Sequence, residues 1–443
     1  MDAFDKDRED VLKRARDSGI EGIITIGSDY KSNLDNLSLI SKYDFLYASV
    51  GIHPHDAMDF NDNIFNDIIE WAKMDKVIAI GETGLDYHYE HSSKGVQKDV
   101  FRRHLELSRI TGLPVIIHSR EAKEDTLSIL KDYSGITNGV FHCFSGDIAM
   151  AERAMEMGFY ISFSGTITFK NARKILDVVS YVPDDYLLVE TDAPYLAPEP
   201  YRGKRNEPSY MIHTVERIAV LRGVSPDDIA RITTLNAQRL FRIGKLPGGK
   251  IAYKIRDNLY LNITPRCTNR CSFCVKFHSD YVKGHNLRLT HEPLEEELKA
   301  AIGDPTRYKE VVFCGYGEPL IRLDTVKAIA QWIKERGGRV RINTNGHGNI
   351  INRRNILPEL KGLVDSISVS LDVHDEDTYN RICAPAFKNA FREVLLFIKD
   401  AKQYIPDVQI TVIDMEGVDL EKCRDIAHEL DVRLRVRKLG VVG

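Results

Sequence analysis

The sequence predicts an α/β protein built from two βα barrels in tandem, and three observations carry that prediction. Short β-branched runs alternate with longer amphipathic stretches along the whole chain, the pattern of repeated βα units around a parallel sheet. The 443 residues exceed one ordinary core and suit two domains of roughly 200 residues each. Near the middle, Pro247, Gly248 and Gly249 break the periodic pattern.

In the first half the apolar runs are "GIITIG", "LYASVG", "VIAIGE", "PVIIHS", "NGVFHC", "FYISFSG" and "LLVETDAP". A closed barrel needs eight strands, so these seven predict a TIM-type (β/α)8 barrel that lacks its first strand in this chain. A helix-like stretch, "SPDDIARITTLNAQRLFRI", closes that half, and no periodic pattern resumes until "NLYLNITP". Beyond the break the runs are "LYLNITP", "VVFCG", "RVRINTN", "SISVSL", "VQITVID" and "LRVRK". Six runs predict an open, partial (β/α)6 barrel. The expected domains are therefore 1–243 and 250–443.

Composition narrows the class. Hydrophobic residues make up 43% and charged residues 28%, which is globular composition without low-complexity tracts. No apolar run approaches the roughly 20 residues of a membrane span, and the acidic opening "MDAFDKDRED" is unlike a leader. The expected location is the cytoplasm, with no membrane partner. Seven cysteines in that compartment point to reduced thiols available to metal, not to a disulfide framework. Residues 1–250 hold 31 Lys and Arg against 38 Asp and Glu, and residues 251–443 hold 30 against 27. Neither half is basic enough to bind nucleic acid through charge alone, so a polyanion needs a local patch.

Four first-half strands end in a metal-competent residue: Glu82 in "IGETGLD", His118 in "IIHSR", His142 in "FHCFSG" and Asp192 in "ETDAP". The C-terminal strand ends of a parallel barrel ring one mouth, which brings residues far apart in sequence together. Imidazole plus carboxylate suits zinc, manganese or magnesium with positions open to water. Past the last strand, "YRGKRNEP" supplies Arg202, Lys204 and Arg205, cations able to hold phosphates beside a metal mouth.

Taken in order, "GIHPH", "IGETGLDY", "IIHSR", "FHCFSG", "ETDAPYLAP" and "YRGKRNEP" make residues 1 to about 243 resemble the TatD family of metal-dependent deoxyribonucleases, within the amidohydrolase-like barrels. The resemblance implies a hydrolase of DNA or another phosphodiester with up to two divalent ions. Glu82 and Asp192 would face one ion, His118 and His142 the other, with Asp192 suited to take the proton of the attacking water. His53 and His55 match a strand end that faces substrate in the family, which implies a phosphate contact. Members usually open with a His-x-His strand, and here the chain opens at Met1 inside that segment. Either the start was assigned too late, or the barrel is metal-poor and a catalytically degenerate substrate-binding module serving the second half.

The second half opens its chemistry with "PRCTNRCSFC", where Cys267, Cys271 and Cys274 fall within eight residues directly after the first strand. A 4Fe–4S cluster held by three thiolates leaves one iron open to a small-molecule ligand, whereas structural zinc requires a fourth ligand, for which His278 and His285 are available. C-x3-C-x2-C with Phe273 before the last cysteine resembles the radical S-adenosylmethionine superfamily, as does "FCGYGEP" at the end of the second strand. The resemblance implies a 4Fe–4S cluster on the three cysteines, with S-adenosyl-L-methionine on its open iron and cleaved reductively. It also implies an electron donor such as flavodoxin or ferredoxin. Glu318 and backbone groups around Gly315 and Gly317 would meet the methionine ammonium. Asn343 and Asn345 in "NTNG", and Ser370 and Asp372 in "SVSLD", are candidates for its carboxylate or ribose, with turn chemistry as the alternative.

Overall fold

Each apolar run becomes a strand. In the computed structural model, which describes residues 2–135 and 137–438, the first seven are β1 (Ile23–Thr25), β2 (Leu46–Val50), β3 (Val77–Asp86), β4 (Val115–Arg120), β5 (Gly139–Phe141), β6 (Phe159–Phe163) and β7 (Leu187–Val189). They form one all-parallel sheet in sequential order, the winding of a TIM-type barrel, with no eighth strand among the described residues. Helices such as Lys94–Thr111 and Pro226–Phe241 connect and close it. The latter starts where the sequence sets it: Ser225 accepts the Asp228 N–H, the Asp228 carboxylate answers the Ser225 N–H, and Pro226 fills the first turn. The chain divides into two compact units, Met1–Leu246 and Pro247–Gly443.

The first unit's main core joins β-strand residues Val115, Ile117, Phe141, Phe159 and Ile161 to helix residues Phe101, Leu105, Ile218 and Ile229. Phe141 is 1% exposed, with the rings of Phe144 and Phe159 at 6.1 and 5.8 Å. Phe141→Ala is expected to destabilise this unit by about 3–5 kcal/mol through lost burial and a residual cavity. Urea unfolding followed with a probe in each unit should show only the first unit's transition moving, since the second has a separate core.

The second unit is a seven-stranded sheet. Its strands are β8 (Ala252–Ile255), β9 (Asn258–Asn262), β12 (Val311–Cys314), β13 (Val340–Thr344), β14 (Ser366–Asp372), β15 (Asp407–Asp414) and β16 (Arg433–Lys438). A two-stranded ribbon, β10 (Tyr281–Val282) and β11 (His285–Asn286), stands apart from it. β9 and β12 to β16 are parallel and sequential, the six strands of the partial barrel, and β8 adds to the β9 edge in antiparallel. β8 corrects the expectation that no pattern precedes "NLYLNITP". One face of the sheet packs Leu261, Phe313, Ile342, Val369 and Ile410 against Ile329, Ile333 and Phe397 of the helices. No helix among the described residues is long and apolar enough to cross a membrane.

Candidate functional site

The first unit's chemistry gathers at the C-terminal strand ends. The strand carrying Glu82 can press against β4 because Gly84, at φ +138°, has no side chain; a Cβ there would fall 2.0 Å from the His118 carbonyl oxygen. Around Glu82 Oε1 stand His142 Nε2 at 2.7 Å, His118 Nδ1 at 2.9 Å and His53 Nε2 at 3.6 Å. Donor atoms of His53, Glu82 and His118 lie within 4.8 Å of one another. His53, expected to face substrate, thus stands in the metal-competent ring. Asp192 shares the site's field from the end of β7, at φ +56°.

Electrostatics follow from that crowding. Burial pushes Asp192 up to about 7, with Glu190 and Glu82 adding to it against the pull of His142. Burial also works to raise Glu82, but His142 and His118 outweigh it and hold the carboxyl well below its ordinary range. His53 is lowered to about 3 by burial, whereas His142 is driven well above its usual value, the carboxylates of Glu82 and Glu190 overcoming burial. Three imidazoles converging on one ionised carboxylate are a donor set that fits a divalent cation.

Two carboxylates that sequence reasoning missed hold the ring in place. Asp86 Oδ2 is 3.1 Å from both His118 Nε2 and His55 Nε2, while Asp86 Oδ1 accepts the N–H groups of His88 and Tyr89. Glu190 Oε1 is 3.1 Å from His142 Nδ1 and accepts the Cys143 N–H at 2.9 Å. Asp86 had a signal, since it follows Glu82 by four residues within β3 and period-2 alternation puts the two on one face, whereas Glu190 lies just past the end of β7. His55 is therefore a partner of Asp86, its ring 4.4 Å from that of His53.

Fully buried His104 fixes the loop that carries His53: the Ile52 N–H donates to its Nε2 at 3.0 Å, and its Nδ1 is 2.8 Å from the Val100 carbonyl oxygen. Burial lowers its pKa to about 4 from 6.5. The unfolded chain thus binds this proton first, so its stabilising contribution is complete above pH 6.5 and is lost as pH falls toward 4, by up to about 3 kcal/mol. Unfolding curves across that window should be steeper in pH for the parent chain than for His104→Gln.

The three cations separate. Arg205, expected to meet phosphate, bonds here to Asp7 at 2.6 and 2.8 Å and to the Ala3 carbonyl oxygen at 2.7 Å. Arg202 and Lys204 are exposed, over the rings of Phe169 at 3.6 Å and Tyr201 at 5.7 Å.

In the second unit the loop after β9 carries Cys267, Cys271 and Cys274, the first exposed and the others half-buried. Cys267 Sγ accepts the Asn269 N–H at 3.4 Å and faces Asn345 Nδ2 at 3.8 Å. Soft thiols on one loop, with N–H donors turned to sulfur, fit an iron–sulfur cluster. His278 and His285 bond instead to the carbonyl oxygens of Ser272 and Lys254, each at 3.1 Å, and neither joins a metal-competent group among the described residues. The "GYGEP" loop packs directly on the cysteine loop: a Cβ on Gly317 would lie 2.1 Å from the Arg266 carbonyl oxygen.

Several expected cofactor contacts are turned inward. Glu318 is 1% exposed and accepts from Leu320 N, Thr344 Oγ1 and Asn345 N at 2.9, 2.9 and 2.7 Å, with burial pushing its carboxyl up to about 7. It ties the end of β12 to the end of β13, and Gly315 lies beside Asn262. Phe273 packs on the core. Asn345 Nδ2 donates to Thr268 Oγ1 at 2.8 Å, Ser370 Oγ is 3.5 Å from Thr411 Oγ1, and buried Asp372 pairs with Arg437 at 2.5 Å. Asn343 Oδ1 is buried with no hydrogen-bond partner among the described residues.

Comparison with known proteins divides at the same join. Residues 1–242 match the family described as TatD related DNase, and residues 261–430 match the Radical SAM superfamily. The uncharacterized metal-dependent hydrolase YabD of Bacillus subtilis is 46% identical over 241 residues, 54% of this chain and 94% of the relative. The 3′-5′ ssDNA/RNA exonuclease TatD of Salmonella typhimurium is 32% identical over 246 residues, 54% of this chain and 95% of its own length. Among solved structures, YJJV, a TatD homolog from Escherichia coli K12, is 31% identical with a TM-score of 0.52, covering 54% of this chain and 94% of that one.

Proposed function

We propose, from the premise that this chain belongs to the TatD related DNase family and carries a radical SAM domain behind it, that it is an enzyme with two sites of different chemistry. The first hydrolyses phosphodiester bonds of nucleic acid, and the second cleaves S-adenosylmethionine reductively. The observation that carries the first reading is Glu82 Oε1 within 3.6 Å of three imidazoles from three separate strand ends.

In the first site Glu82, His53, His118 and His142 would hold one or two divalent ions. A bound divalent ion supplies charge to a phosphoryl oxygen and acidity to water. Asp86 and Glu190 orient the rings of His118 and His142, as outer-shell carboxylates do for ligating histidines. Asp192 is the residue suited to receive the proton of the attacking water. Arg202 and Lys204 remain available to substrate phosphates. The exonuclease activity of the Salmonella relative makes single-stranded nucleic acid the first substrate to try.

In the second site Cys267, Cys271 and Cys274 would hold a 4Fe–4S cluster. When bound, that cluster supplies one electron to the sulfonium cofactor, drawn from a donor such as flavodoxin or ferredoxin. Glu318 and Asn345 set the loops on either side of Cys267.

Two measurements test the proposal. Cleavage of a single-stranded oligonucleotide should vanish with chelator and return with Mn²⁺. Protein that binds no divalent metal and cuts nothing would instead make the first unit a binding module. Anaerobic reconstitution with iron and sulfide, then dithionite and S-adenosylmethionine, should yield 5′-deoxyadenosine. A colourless protein and no nucleoside would reject the second site.

A further inference from the structure

Cys383 is a buried sulfur with no part in the function described so far. It is the last residue of the helix Glu376–Cys383 and is fully buried. Its Sγ, the Sγ of Cys271 and a carboxylate oxygen of Asp372 all lie within 4.8 Å of one another. We infer that the Cys383 thiol donates a hydrogen bond to the Cys271 sulfur when Cys271 ligates the cluster, and that this bond raises the cluster's reduction potential. The inference rests on reading Cys267, Cys271 and Cys274 as the cluster thiolates.

The approach of the two sulfurs is built into the backbone. Arg270 N–H donates to the Cys383 carbonyl at 2.9 Å and Ser272 N–H to the Ile382 carbonyl at 2.9 Å, so the residues on both sides of Cys271 are strapped to the end of this helix. A third bond, Ala386 N–H to the Thr268 carbonyl at 2.8 Å, fastens the start of the same loop. Cys271 has no freedom to leave Cys383 without breaking them.

Donor and acceptor roles follow from chemistry. A thiolate that holds iron has lost its proton and can only accept. Asp372, the other group in reach, already takes a charge-assisted bond from Arg437 Nη2 at 2.5 Å. Cys383 lies outside the C-x3-C-x2-C triad, so it remains a thiol with a proton to offer. Hydrogen bonds onto cluster sulfurs stabilise the reduced, more negative state and shift the potential upward. Cys267 already receives the Asn269 N–H from its own loop, and Cys383 provides the corresponding donor at Cys271.

The full chain, reconstituted anaerobically as parent, Cys383→Ala and Cys383→Ser, tests this by iron content and by potentiometric titration followed through the EPR signal of the reduced cluster. All three should hold the same iron. The alanine variant should titrate at a more negative potential, while the serine hydroxyl, still a donor, should keep the potential near the parent's. Equal potentials for parent and alanine chains at equal iron overturn the inference, and failure of the parent itself to take up iron overturns the cluster reading instead. If the alanine chain does not load, the cluster-free parent treated with diamide should yield a peptide joining Cys271 to Cys383. Joining of Cys271 to Cys267 or Cys274, with Cys383 left free, overturns the inference.

Discussion

Cleavage of a single-stranded oligonucleotide in the presence of Mn²⁺ is expected to fall on the order of 10³-fold in His142→Ala, measured as kcat/KM. The imidazole lost stands 2.7 Å from Glu82 and 3.1 Å from Glu190, so it lies between two carboxylates. Removing it deletes a donor and leaves those carboxylates facing each other across the gap, and one of them must then gain a proton or be displaced. Metal content should fall together with rate, which separates loss of the ion from loss of substrate binding. Arg205→Ala is the contrasting case: its guanidinium is bound to Asp7, so cleavage should change by less than about threefold. His142→Ala with rate and metal content unchanged would reject the assignment of this ring.

Much of this fold was legible because burial dictates the strands. Runs such as "VIAIGE" and "PVIIHS" are apolar on both faces, as parallel strands covered by helices must be. β8 was not legible because its signal is weak: four residues pair back on β9 through Arg256 and Asp257, with Arg256 at φ +53° and no Asn-Gly to announce the turn. The four residues proposed for metal were visible from their place at the ends of apolar runs. Asp86 and Glu190 stand beside two of those residues in sequence, but their partners His118 and His142 lie 32 and 48 residues away, where no local pattern marks them.

Other contacts were not legible for a different cause. The pairing of Arg205 with Asp7 spans 198 residues, and no local pattern encodes such a pair. Glu318 stands at a strand end, and three donors from its own and the next strand's loop turn it inward. A motif gives the residue type and its place on the chain, whereas the direction of the side chain depends on elements folded against it. Cys383 in "RICAPA" has no partner motif in the sequence, since it lies 112 residues beyond Cys271 and meets it only through the helix that ends there.

Cys271→Ala is expected to remove the cluster altogether: after anaerobic reconstitution the protein should lack the brown absorbance, and 5′-deoxyadenosine should be undetectable. Two thiolates cannot replace three around a cubane, and Cys383, whose sulfur lies within 4.8 Å of the Cys271 sulfur, is anchored at the end of a helix with its backbone already bonded to the cysteine loop. The effect should stay within the second unit. Each unit has its own hydrophobic core, one assembled on β1 to β7 and the other on β8, β9 and β12 to β16, so loss of one thiol in the second leaves the first folded. Oligonucleotide cleavage by Cys271→Ala should therefore stay within about twofold of the parent, just as His142→Ala should still produce 5′-deoxyadenosine. A joint loss of both activities in either variant would mean that the two chemistries act on one reaction path. Their separate loss assigns Glu82, His118 and His142 to one reaction and the three cysteines to another.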